Sequence, residues 1–383
     1  MCAASNYFSD GSVDDMKITD IKATVLASRY DRPIRFAHME LTERRIVVVQ
    51  VFTDQGIVGL GDIDGPPTGD MAVVGLVNET FRSMLIGQDP LAIGARWNDM
   101  FQALNTLGRY RSLESYVLGA LDTALWDIMG KVANQPIHRL LGARRSEVSC
   151  YASLGQVAQN LIGEEAGKYA AQGFAGVKIR IGFPNADDKA IVSAARTSLP
   201  INSATKLMAD VNSGWSRSFA PQRAKALEPF ELFWLEEPLP PFDLPGYAHL
   251  AESLVTPIAV GEHEIFNRWD ARDFIVARAA DIIQPDLRQG ISECLRIANL
   301  ASVWEIPCIP HFFGPGIRFA AMVQLLGSID NYLLCEYPIA IDPIRFELTD
   351  PPLIAQNGKV EIPQGPGLGI TLNEATMRKY ALN

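Results

Sequence analysis

Gly176-Val177-Lys178-Ile179-Arg180, Lys206-Leu207-Met208-Ala209-Asp210, Phe233-Trp234-Leu235-Glu236-Glu237, Ile258-Ala259-Val260-Gly261-Glu262, Asp281-Ile282-Ile283-Gln284-Pro285-Asp286 and Ile306-Pro307-Cys308-Ile309-Pro310-His311 are six short apolar runs. Each ends in a polar residue of catalytic type. A seventh, Tyr332-Leu333-Leu334-Cys335-Glu336, follows at the same interval. The ends recur about every 25 residues, the length of one strand, one helix and two loops, so the stretch reads as a βα array. Val148-Ser149-Cys150-Tyr151-Ala152 precedes it and brings the strands to eight, the number that closes a TIM barrel. Strands alternating with helices imply parallel pairing and right-handed crossovers. In such a barrel the strand ends converge on one face, so these polar residues are expected to meet in one mouth.

The rest of the chain divides around this array. Residues 1–15 are acidic and small, with no apolar core, and read as a flexible tail rather than a signal or anchor. Residues 16–140 are expected to form an α+β domain. Ile18 to Leu26 alternates, Arg45 to Thr53 is β-branched, and the Asp54-Gln55-Gly56 turn leads into Ile57 to Gly61. Tyr30 to Glu40, carrying Arg32, Arg35 and His38, reads as a polar loop. From Asp70 to Val132 the pattern turns helical, most clearly over Ser112 to Lys131. The barrel is assigned to residues 141–342. Residues 343–383, rich in Gly and Pro with a short helix from Asn373, are too few to fold alone and are expected to complete the N-terminal domain.

Bulk properties exclude several classes. With 383 residues and 48% hydrophobic content the chain can bury a large core. A formal net charge of -10 argues against a nucleic-acid partner. No apolar stretch approaches the roughly 18 residues that would span a bilayer. Cys2, Cys150, Cys294, Cys308 and Cys335 are widely spaced and odd in number, which fits free thiols in a reducing compartment, hence a cytoplasmic protein.

Asp210, Glu236 and Glu262 end three successive strands. Taken singly, each acid could cap the helix that follows. Taken together, three carboxylates without cysteine or histidine partners make a hard oxygen site suited to Mg²⁺ rather than zinc. Lys178 and Arg180 lie two apart on one strand and so point the same way. Such a pair requires an anion, which Asp210 and the carboxylate of a small substrate would supply. Arginine stays protonated, whereas Lys178 could act as a base if Arg180 lowers its pKa by like-charge repulsion. Asp286 and His311 end neighbouring strands, and a carboxylate that fixes an imidazole in one tautomer makes a general acid/base near neutral pH. Glu336 can hydrogen-bond a substrate carboxyl oxygen or form a salt bridge with Lys178. His38, His138 and His249 read as ordinary histidines, and His263 is set apart by following Glu262.

With these motifs in register the chain resembles the enolase superfamily, in particular its mandelate racemase-like subgroup. The matching elements are Lys178-Ile179-Arg180, Asp210-Val211-Asn212, Trp234-Leu235-Glu236-Glu237-Pro238, Gly261-Glu262-His263-Glu264, Asp286 with His311, and Glu336-Tyr337-Pro338. Gly119 to Ile128 is similar to the family's helix before the barrel. The resemblance implies a modified (β/α) barrel under an α+β capping domain made by the N-terminal segment and the C-terminal tail. It also implies Mg²⁺-assisted removal of a proton next to a carboxylate, the superfamily's general pattern, and commonly a homo-oligomer. Asn212, Glu336, His263 and Arg35 are the candidate substrate contacts, and the loops Tyr30 to Glu40 and Gly61 to Gly69 are expected to close over the mouth. The second position of the Lys-x-Lys element is Arg180, where relatives often carry a base. A racemase needs a base on each face, whereas a dehydratase manages with His311 alone. The expectation is therefore dehydration of a sugar acid. Racemisation or epimerisation on the same site, and a metal-binding barrel without turnover, are the alternatives.

Overall fold

The computed structural model describes residues 16–35, 40–64, 69–340 and 342–382. Its core is a curled parallel sheet of seven strands: β4 (Glu147–Ser153), β5 (Gly176–Arg180), β6 (Lys206–Asp210), β7 (Leu235–Glu236), β8 (Ile258–Val260), β9 (Ile282–Ile283) and β10 (Cys335–Pro338). They pair in sequence order, with β10 closing back onto β4. The remaining place in the ring belongs to Ile306 to His311, expected to be a regular strand. It makes only isolated bridges, Ile283 with Cys308, Asp286 with His311 and Cys308 with Tyr332. Pro307 and Pro310 remove two ladder donors there, so the segment follows the ring without forming a full ladder.

Alternation sorts the side chains of each strand. Val177, Ile179, Leu207 and Ala209 face the surrounding helices. Tyr151, Met208, Trp234, Ala259, Ile282, Ile309 and Leu334 fill the barrel interior. Lateral register does the rest: Arg180 pairs with Asp210, and Asp210 with Glu236. Charged strand ends therefore sit side by side on top of an apolar plug.

The capping domain begins with an antiparallel sheet of β1 (Ile18–Arg35), β2 (Glu40–Thr53) and β3 (Val58–Asp64). The polar loop expected over Tyr30 to Glu40 is instead the end of a long hairpin arm. After a register irregularity, Ile34 pairs with Leu41 and Arg35 with Glu40. Cross-strand backbone bonds override the polar composition, and the arm's charges pair at its surface, as Arg35 does with Glu40. His38 lies outside the described residues. The other expected loop, Gly61 to Gly69, opens with Gly61 to Asp64 as the end of β3, and its residues 65–68 are outside the described set.

A helical run over Asp70–Leu85 is followed by Ile93–Thr106 and the 20-residue helix Leu113–Val132. The last of these lies against β3 because Gly59 and Gly61 have no side chains. A Cβ at either would come within 2.1 Å of the Ala124 or Ala120 carbonyl oxygen. The tail returns to this domain, where Ala381 bridges Leu26 and the Leu382 amide donates to Val25 O at 3.0 Å. One piece departs from the expectation. Lys359–Glu361 pairs antiparallel with β4, bonding to the barrel rather than to the capping sheet. Among the described residues no helix is long and apolar enough to cross a membrane. Cys150, Cys294, Cys308 and Cys335 are buried free thiols.

Candidate active site

The mouth of the barrel holds a buried charge cluster. Lys178 Nζ lies 2.9 Å from Glu336 Oε1 and 3.6 Å from Asp210 Oδ2, and it is hydrogen-bonded to Glu236 Oε1. The depressed lysine pKa that like-charge repulsion suggested is not found. Burial pulls the ammonium down, but Glu236, Glu336 and Asp210 outweigh both burial and Arg180, and Lys178 is held above its ordinary value. Arg180 is ion-paired with Asp210 Oδ2, and its Nη1 donates to Asn212 Oδ1 at 2.7 Å. Glu236 is tied further by Trp234 Nε1 at 2.9 Å and Gln284 Nε2 at 3.0 Å.

Asp286 and His311 form the expected pair, with His311 Nδ1 2.7 Å from Asp286 Oδ2. A proton on Nδ1 leaves Nε2 directed into the mouth, 3.2 Å from Glu262 Oε2 and 3.9 Å from Glu336 Oε2. Burial pulls the imidazole down, but Glu262, Glu336 and Asp286 together push it up to about 9. Burial opposes the charge on Asp286, yet Arg288 and His311 hold its carboxyl far below the usual range. The Phe312 amide donates to Glu336 Oε2 at 3.1 Å, fixing that carboxylate between Lys178 and the dyad.

Glu262 follows Gly261, whose φ of 158° lies at the edge of the region that favours glycine. Among the described residues, the groups whose donor atoms lie within 4.8 Å of one another are Glu237, Glu262 and His263, and Glu262, Asp286 and His311. Asp210 and Glu236 stand side by side on β6 and β7, while the Glu262 carboxylate turns toward His311, Arg288 and His263. His263 Nδ1 donates to Glu237 Oε2 at 2.8 Å, and the imidazole is pushed up to about 11 by Glu262 and Glu237. Its side chain is 45% exposed, so it lines the rim rather than the floor.

A cavity of about 570 Å³ opens beside the cluster, with Arg180 in its wall. The arm contributes Ile34 and Arg35, and the barrel loops contribute Phe313 and Ile339. Arg35 thus stands at the cavity, although its guanidinium is exposed and paired with Glu40. Three participants were not singled out from sequence. Trp234 and Gln284 lie inside quoted runs two residues before an acid, so the period of two could have found them. Arg288 carried no such signal.

The sequence profile described as "Mandelate racemase / muconate lactonizing enzyme, N-terminal domain" matches residues 20–142, and that described as "Enolase C-terminal domain-like" matches residues 162–376. The chain is 34% identical to a D-galactarolactone cycloisomerase of Agrobacterium fabrum, over 96% of this chain and 99% of that one. It is 30% identical to an arabinonate dehydratase of Saccharolobus solfataricus, over 88% and 90% of the two chains. The crystal structure of a racemase from Streptomyces coelicolor with bound magnesium superposes with a TM-score of 0.86 at 26% identity, covering 95% of this chain and 100% of that one.

Proposed function

The chain belongs to the mandelate racemase and muconate lactonizing enzyme family of the enolase superfamily, and we propose that it is a Mg²⁺-dependent dehydratase of a sugar acid. The observation that carries this reading is asymmetry across the mouth. One side presents His311 backed by Asp286 at 2.7 Å. The other presents Arg180, ion-paired with Asp210, beside Lys178 enclosed by three carboxylates. Of these groups only the imidazole can both take and give a proton, since Arg180 and Lys178 are held in their charged forms.

The acids at the ends of β6 and β7 and the one after β8 fit a magnesium ion by their chemistry, since all three offer hard oxygens. Asp210, Glu236 and Glu262 would hold it, and when bound it supplies positive charge against the negative charge that develops on the substrate's carboxylate oxygens. His311 Nε2 takes the proton α to the carboxylate, and the C–H electron pair becomes the new carbon–carbon double bond of an enediolate. Lys178 adds fixed positive charge beside that oxyanion. His311 then gives its proton to the β-hydroxyl, the C–O bond breaks and water leaves. The resulting enol tautomerises to a 2-keto-3-deoxy acid. In this reading Asn212, Glu336, His263 and Arg35 contact substrate oxygens. A relative that is a lactone cycloisomerase supports a variant of the same chemistry, in which a ring oxygen leaves instead of a hydroxyl.

The test is a screen of mono- and diacid sugars and their lactones for 2-keto product with Mg²⁺, run in deuterated water. Product formed by wild type and abolished in His311→Asn is the expected result. Deuterium incorporation with inversion and no loss of water would replace dehydration by racemisation, and tight binding without turnover would indicate a non-catalytic barrel. A cytoplasmic homo-oligomer is part of the proposal, its assembly checked by sedimentation of the purified protein.

A further inference from the structure

Arg288 follows the dyad aspartate by two residues and holds both of its oxygens. Its backbone amide donates to Asp286 Oδ1 at 2.7 Å, and its guanidinium Nη2 lies 2.8 Å from Asp286 Oδ2, the atom that also receives His311. The same Nη2 lies 3.6 Å from Glu262 Oε1. One cation therefore stands between the carboxylate that orients the base and the carboxylate after β8. Two features of the capping domain fix it there. The Tyr116 ring, on the helix Leu113–Val132, lies under the guanidinium at 4.7 Å. Gly119, one turn further on, packs so closely on the Arg288 carbonyl that a Cβ would come within 2.1 Å.

We propose that Arg288 is a positioning residue whose guanidinium clamps Asp286 and Glu262 together, so that His311 meets the substrate carbon through Nε2. The inference rests on His311 being the acid/base. Two carboxylates this close repel without a shared counter-charge, and a displaced Asp286 would release the imidazole from its tautomer and orientation. The role belongs to the charge and its placement rather than to packing volume. It also makes the capping domain, through Tyr116 and Gly119, part of what aligns the base.

Arg288→Met keeps the length and bulk but removes the charge, and Arg288→Lys keeps the charge. The expected result is a fall in kcat of about 10–100-fold in Arg288→Met, the range for lost outer-shell partners, with KM little changed. Arg288→Lys should recover most of that loss. A second readout needs neither metal nor substrate: the low-field proton resonance of His311 Nδ1–H in magnesium-free protein, assigned by its disappearance in His311→Asn. It should persist in wild type and Arg288→Lys and be lost or broadened in Arg288→Met, with circular dichroism unchanged. Wild-type kcat together with an intact resonance in Arg288→Met would overturn the inference. So would equal impairment of the Lys and Met variants, since the position would then matter only for packing. If wild type exchanges no α-proton with any acid, the functional reading fails, while the resonance still decides the positioning role.

Discussion

Replacing Lys178 by methionine gives the most direct measure of how the mouth is balanced. Lys178 is fully buried, as are Glu236, Glu336 and Asp210 to within about 2%. Three carboxylates there face two cations, and the substitution leaves Arg180 alone, already committed to Asp210. Glu236 would keep its Trp234 and Gln284 donors, and Glu336 its Phe312 amide and the His311 imidazole 3.9 Å away, but both would lose the ammonium they share. Breaking a buried pair of this kind costs roughly 3–5 kcal/mol, because the surviving charge stays buried. At on the order of 2 °C per kcal/mol for a long chain, Tm should fall roughly 6–10 °C in EDTA. The ammonium also competes with a divalent ion for Glu236, so Lys178→Met should bind Mg²⁺ more tightly than wild type and recover more stability from it. At saturating Mg²⁺ the gap narrows by the difference in binding, about 1.4 kcal/mol for each tenfold gain in the variant's affinity. Thermal denaturation of both proteins across a magnesium titration reads both quantities. A deficit below about 1 kcal/mol in EDTA, the range of an exposed pair, or equal magnesium-induced shifts in the two proteins, would refute the reasoning.

Asp122 is buried and pushed up to about 6, burial outweighing the hydrogen bonds from Ser292. Its folded pKa is above its unfolded one, so its contribution is complete below about pH 4 and is lost as pH rises through 6. Asp122→Asn escapes that loss, and urea denaturation should show its advantage over wild type growing by about 1 kcal/mol between pH 5 and pH 7. Gly119→Ala should destabilise by about 1–3 kcal/mol despite alanine's better helix propensity, because its Cβ meets the Arg288 and Gln289 backbone; it should also lower kcat, and a more stable variant would contradict the close approach. Arg44 ties the hairpin arm to the barrel through Asp342 and the Phe313 carbonyl at 3.1 Å, and to the end of β3 through Asp64 at 3.2 Å. Arg44→Met should expose the arm to limited proteolysis and raise KM more than it lowers kcat.

The strand ends were legible because two periods coincide in this chain. The long one, set by strand, helix and loops, gave eight places around the ring, seven of which are regular strands; the short one, set by the pleat, gave the face on which each terminal residue sits. Together they sufficed to bring Arg180, Asp210 and Glu236 into lateral register, with Lys178 one pleat below on the same face, as the pairings of β5, β6 and β7 show. Neither period constrains where a long side chain ends once it reaches the mouth. Glu262 turns toward His311 and Arg288 because cations and an imidazole are within its reach on that side. The raised Lys178 pKa has the same origin. From sequence Arg180, Asp210 and Glu336 were already in view but Glu236 was not, and in space three carboxylates from three other strands outweigh the one like charge. The arm misled for the converse reason. Its composition is polar, and cross-strand pairing such as Arg35 with Glu40 is invisible to a local reading.

Arg288 shows what kind of residue escapes both periods. It belongs to no strand, follows the dyad aspartate in a short turn, and becomes significant only where the capping helix lays Tyr116 and Gly119 on it. Residues that touch the reacting atoms must sit at strand ends, and strand ends recur. Those that hold them in place are recruited from whichever element happens to pack nearby, and their spacing carries no period. A barrel of this kind therefore keeps its chemistry in a repeat while its alignment depends on the interface between domains. Changes at that interface, at positions such as Tyr116 that touch no reacting atom, should alter kcat through the geometry of His311 and Asp286 before they alter which acid is bound.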